Sequence, residues 1–156
     1  LVLNTRIEMG LLGAYNNSLG ISPFERFYVG GDGLSGMGYA FDGRELISLR
    51  GYGNNTISSQ TGGTIYNKYT TEIRYPVSLN PSSTVYVLGF LEAGSAWDKF
   101  DDFNPFSVKR SAGFGIRIML PMIGMMGLDY GWGLDYLPLH PDENGGQFHF
   151  SIGQQF

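Results

Sequence analysis

The chain of 156 residues contains no cysteine, which excludes disulfides, thiol catalysis and cysteine-based metal sites together. Charge is scarce as well. Asp, Glu, Lys and Arg make up 15% of the sequence, whereas soluble domains carry roughly a quarter. The few basic residues are scattered and the net charge is −4, so no nucleic-acid surface is expected. No apolar run reaches the roughly 18 residues that a transmembrane helix requires. The best stretch, Ile116 to Leu128, is interrupted by Arg117, Pro121, Gly124 and Gly127. No signal peptide is expected in the first residues, because Asn4, Arg6 and Glu8 fall between Leu1 and Tyr15. Histidine is limited to His140 and His149, and no serine stands in a GxSxG elbow. No nucleophile, base and orienter can be assembled from these residues, so neither an enzyme nor a cofactor is expected.

What the chain does have is glycine (24 residues), aromatics (15%) and a strict period of two. From Thr64 to Tyr75, one face carries Tyr66, Lys68, Thr70, Glu72 and Arg74, and the other Ile65, Tyr69, Ile73 and Tyr75. Lys109 to Leu120 sets Ser111, Gly113, Gly115 and Arg117 against Phe114, Ile116 and Ile118. Met125 to Asp135 sets Gly127, Asp129, Gly131 and Gly133 against Leu128, Tyr130 and Trp132. Such alternation marks strands with two unlike faces. Thr84 to Trp97 alternates less well, because Leu88 and Phe90 share a face with Glu92.

Alternation alone does not say which face is inside. Trp132, Tyr130, Tyr75, Phe148 and Trp97 crowd the apolar face near strand ends, as interfacial aromatic girdles do. The other face is small, polar and rich in glycine, as an open lumen would be. Pro121 to Gly124 reads as a tight turn and Pro76 to Ser83 as a short loop, whereas residues 15–62 form one long connection. Short turns on one side and long loops on the other are the outer-membrane pattern. The expected fold is therefore all-β: an antiparallel transmembrane β-barrel segment of six strands, roughly 1–12, 63–76, 84–97, 108–120, 124–136 and 146–156. One long loop, 15–62, is inserted after the first.

That loop holds Gly31-Asp32-Gly33-Leu34-Ser35-Gly36, formally a GxGxxG. A dinucleotide site needs a helix opening after it, and Met37 to Asp42 offers none. Glycines for tight backbone turns explain it better. His149, on the lumen face, reads as a solvated polar residue, and Asp129 and Asp135 as ordinary lumen charges.

Further along stands Leu49-Arg50-Gly51-Tyr52. With Pro23-Phe24-Glu25-Arg26-Phe27-Tyr28-Val29-Gly30-Gly31 upstream, and Gly113-Phe114-Gly115-Ile116-Arg117 and Gly127-Leu128-Asp129-Tyr130-Gly131 downstream, it resembles the BamA-type outer-membrane assembly factors of the bacterial surface antigen superfamily, relatives of the two-partner-secretion transporters. The resemblance runs over nearly the whole chain, in order. It implies that the loop folds back into the barrel and that its tip, Arg50, Gly51 and Tyr52, pairs there with strand acids. The matching acids are Glu72 and Glu92, the second standing where the family usually has Asp. A guanidinium fork suits carboxylates better than an ammonium does.

The C-terminal Phe148-His149-Phe150-Ser151-Ile152-Gly153-Gln154-Gln155-Phe156 resembles the signal that marks barrel clients. In the family this strand also forms a gate with the first strand, with Gly153 at the kink and Phe148, Phe150, Ile152 and Phe156 as the apolar side. The resemblance further implies the last six strands of a sixteen-stranded barrel in the bacterial outer membrane. Its expected function is folding and inserting other β-barrel proteins, with unfolded outer-membrane proteins, accessory assembly lipoproteins and membrane lipid as partners. A secretion transporter of the same superfamily, or a passive porin-like barrel, is the alternative.

Overall fold

A computed structural model describes residues 1–15, 20–22, 24–32, 44–80, 83–122, 124–140 and 145–152. The fold is all-β. Six strands form one antiparallel sheet in the order β1-β4-β5-β6-β7-β8: β1 (Val2–Leu11), β4 (Ile65–Asn80), β5 (Ser83–Trp97), β6 (Lys109–Leu120), β7 (Gly124–Gly133) and β8 (Gly146–Ile152). Gly33 to Gly36 of the glycine motif, and Gly153 and Phe156 of the terminal strand, lie outside the described residues.

Two boundaries differ most from the sequence reading. The residues read as a loop from Pro76 onward continue β4 as far as Asn80. Proline has no N–H to give a ladder, and the register shifts between Pro76 and Ser78, a bulge that lets the strand pass it. At the other end, β7 stops at Gly133 rather than 136. The long loop also has structure of its own: β2 (Phe27–Val29) pairs in parallel with β3 (Glu45–Ile47).

The two faces of the sheet are unlike. On the outer face Tyr75, Phe114, Trp132 and Phe150 are exposed, and Phe114, Tyr130, Trp132 and Phe148 touch ring to ring at centroid separations of 4.5–6.1 Å. On the inner face Glu72, Glu92, Ser111, Arg117, Asp129, His149 and Ser151 are buried. Polar residues inside and aromatics outside reverse the polarity of a water-soluble sandwich. So large an exposed apolar face is unstable in water and suits lipid.

The loop fills the inner face. Phe27, Val29, Ile47, Leu49 and Tyr52 from the loop pack with Tyr66 of β4 and Leu137 into the apolar core. Phe27 meets Tyr66 edge to face at 4.7 Å. The glycine-rich face of β6 and β7 is thus covered, not an open lumen. The β5–β6 connection folds the other way, over the outer face. Asn67 is fully buried there and donates through Nδ2 to the Pro105 carbonyl at 3.1 Å.

Candidate functional site

The loop delivers its tip by a short relay of backbone hydrogen bonds. Gly30 N–H donates to the Ile47 carbonyl and Leu49 N–H to that of Gly31, both at 3.0 Å. The next residue, Arg50, is fully buried against β5. Gly51 follows with φ +88°, a left-handed conformation that a side chain disfavours. A Cβ on Gly51 would lie 2.8 Å from the Trp132 carbonyl carbon and 3.0 Å from Ser111 Cβ. The tip therefore lies flat on the sheet, and the strands beneath leave room for it. A Cβ on Gly131 would fall 2.9 Å from Gly51 N, and one on Gly133 would fall 2.6 Å from the Tyr52 ring.

The Arg50 guanidinium reaches three carboxylates on three strands. Nη2 donates to Glu72 Oε1 and to Glu92 Oε1, each at 2.7 Å. Nε donates to Glu92 Oε1 at 3.1 Å, and Nη1 to Asp129 Oδ2 at 3.3 Å. Its own backbone N–H donates to Glu92 Oε2 at 2.9 Å. The guanidinium carbon sits 3.8 Å from the centre of the Phe90 ring, a cation–π contact. This explains the poor alternation of β5: Phe90 shares the inner face with Glu92 because the arginine lies over it.

Each acid has a second cation. Arg74 donates to Glu72 Oε2 through Nε and Nη2 at 2.8 and 2.6 Å. Lys68 Nζ stands 3.6 Å from Glu92 and donates to Ser48 Oγ at 3.1 Å. Arg117 forks onto Asp129, with Nη1 on Oδ1 and Nη2 on Oδ2. Burial alone would favour neutral Arg50, but Glu92, Asp129 and Glu72 outweigh it and raise its pKa above the ordinary value. Buried charges stay ionised only when paired and hydrogen-bonded in this way.

Glycine and tyrosine of the tip have partners of their own. Gly51 N–H donates to His149 Nε2 at 2.8 Å. Because an N–H can only donate, that imidazole nitrogen carries no proton. His149 is 4% exposed, so the reading of a solvated histidine is corrected. Loop residues cover it, which strand periodicity cannot reveal. Tyr52 hydroxyl donates to the Arg110 carbonyl at 2.5 Å and accepts the Asp135 N–H at 3.1 Å. Burial pushes its phenol pKa up.

The structure thus brings Arg50, Gly51, Tyr52, Glu72 and Glu92 together, and adds Asp129, Arg117 and His149, to which sequence reasoning gave no part in the site. Phe148, Phe150 and Ile152 lie apart from it, exposed on the outer face of β8.

No curated protein matches the chain. The family profile described as the Omp85 superfamily domain matches residues 1–156. An inverted antiparallel sheet, a loop folded onto its polar face and a match over every residue agree on one conclusion: the chain belongs to the Omp85 superfamily.

Proposed function

We propose that the chain serves the folding and insertion of β-barrel proteins into the bacterial outer membrane. The observation that carries this reading is the seating of Arg50 among Glu72, Glu92 and Asp129. A passive pore needs a loop that narrows its lumen, not an arginine sunk out of water into acids from three strands. Here the inserted loop and the wall form one unit, so the wall keeps its shape while other parts of the barrel exchange partners. The exposed outer aromatics are its lipid contact. Unfolded outer-membrane proteins are its clients, accessory lipoproteins its helpers, and no chemical step is involved.

The test is depletion of the protein in its native cell, with complementation by wild type or Arg50→Ala. Depletion should lower the folded, heat-modifiable fraction of many outer-membrane proteins, and Arg50→Ala should fail to restore it. Loss of a single secreted protein, with general assembly intact, would instead identify a dedicated secretion transporter. Unchanged assembly and secretion would leave the porin-like reading.

A further inference from the structure

Among the described residues, the loop tip reaches β8 through a hydrogen bond from Gly51 N–H to His149 Nε2. Arg50 itself is tied to β4, β5 and β7, through Glu72, Glu92 and Asp129. Strand β8 pairs with β7 on one side and stands at the edge of the sheet. His149 lies opposite Asp129 in that pairing, so the acid that holds Arg50 and the histidine that holds Gly51 are cross-strand neighbours. Gly51 is pinned in its left-handed conformation between Ser111 and the Trp132 backbone, which aims its N–H in one direction.

We infer that His149 is a positioning residue that couples β8 to the seated loop tip, so that the strand and the tip hold or release together. The hydrogen bond is buried and its donor is fixed by the tip, so displacing β8 from β7 either breaks it or pulls Gly51 off its glycine bed. Conversely, a tip lifted from the acids takes the donor away and uncovers His149. Two elements that share one bond have coupled stabilities, and the coupling is reciprocal.

This inference rests on the membrane-barrel part of the proposed function, not on assembly activity. It is tested by hydrogen exchange of the peptides covering 146–152 and 49–53 in the intact protein in lipid vesicles. His149→Ala should speed exchange in both peptides by about three- to tenfold, the ordinary weight of one hydrogen bond. Exchange in β4 and β5 should stay unchanged. His149→Gln, whose amide oxygen can accept the same N–H, should restore much of the protection.

The discriminating measurement is a cycle with Arg50→Lys, which loosens the tip without emptying its site. Alone it should speed exchange in β8, and in the His149→Ala background it should add nothing there. Acceleration of β8 by Arg50→Lys equally with and without His149, or no effect of His149→Ala on residues 49–53, would overturn the coupling. Normal coupling with no assembly defect would leave it standing and refute the assembly reading instead.

Discussion

Arg117 holds Asp129 by two parallel hydrogen bonds of 2.7 Å, and Asp129 in turn accepts from Arg50 at 3.3 Å, so an arginine on β6 fixes the acid that β7 offers to the loop. Both partners are almost completely buried. Removing the arginine by Arg117→Ala leaves Asp129 sharing only the Arg50 charge. The expected loss is about 3 kcal/mol, as for breaking a buried pair from one side. It should appear as a lower urea midpoint in lipid or detergent. The double variant Arg117→Ala with Asp129→Asn should be less destabilised than the single one.

Arg50→Ala strands three carboxylates together, not two. Because each acid keeps its second cation (Arg74, Lys68 or Arg117), the loss should fall at the lower end for breaking a buried pair, about 3 kcal/mol. The loop should become protease-sensitive between residues 44 and 62 while the sheet stays resistant. Arg50→Lys should recover part of this, since a compact ammonium cannot span three acids on three strands. Equal protease resistance of wild type and Arg50→Ala would show that the core around Leu49 and Tyr52 holds the loop unaided.

Two glycines of the same sheet should respond in opposite ways to a methyl group. At Gly131 the added Cβ lies 2.9 Å from Gly51 N and 3.1 Å from Gly51 Cα, both backbone atoms that cannot step aside. Gly131→Ala should lift the tip and cost about 1–3 kcal/mol, the usual penalty for overpacking. At Gly89, on the outer face, the nearest atom is 3.9 Å away, so Gly89→Ala should be neutral or mildly stabilising. Thermal midpoints of the two variants in the same detergent make the comparison.

Acid should loosen the knot beside Tyr52. Asp135 accepts from Arg110 through N, Nε and Nη2, and these hydrogen bonds hold its carboxyl pKa below the ordinary value. A depressed carboxylate contributes stability above its unfolded pKa, about 3.9, and loses it as pH falls through the lower folded value. Exchange around residues 134–136, corrected for its intrinsic rate, should therefore rise below about pH 4. In Asp135→Asn that rise should be absent.

The sheet was legible because period two survives in the long strands other than β5, and because outer aromatics such as Phe114, Tyr130 and Trp132 fall on one parity. The tip and two of its acids, Glu72 and Glu92, were legible only through family likeness, since neither spacing nor charge singles out Arg50 among the arginines. The Arg117–Asp129 fork had a usable signal. Counted back from the turn, Leu120 faces Gly124, so Arg117 faces Gly127 and Asp129 faces Gly115. Each charged residue thus has a glycine opposite, leaving the diagonal free for the ion pair. The burial of His149 had no signal, because it depends on a loop nearly a hundred residues earlier in the chain.

That distance has a kinetic meaning. Arg50 stands 22, 42 and 79 residues from Glu72, Glu92 and Asp129, and Gly51 stands 98 from His149. Closing long loops carries an entropic cost that must be met before the contacts repay it, so pairings this remote form slowly. The tip cannot take its full set of partners until the strands carrying them are made and aligned. Until then its buried charges belong in water, and the loop has no settled place. The same residues that lock the wall therefore also record its assembly, because β8 must be in place before His149 can meet a tip that stands 98 residues earlier.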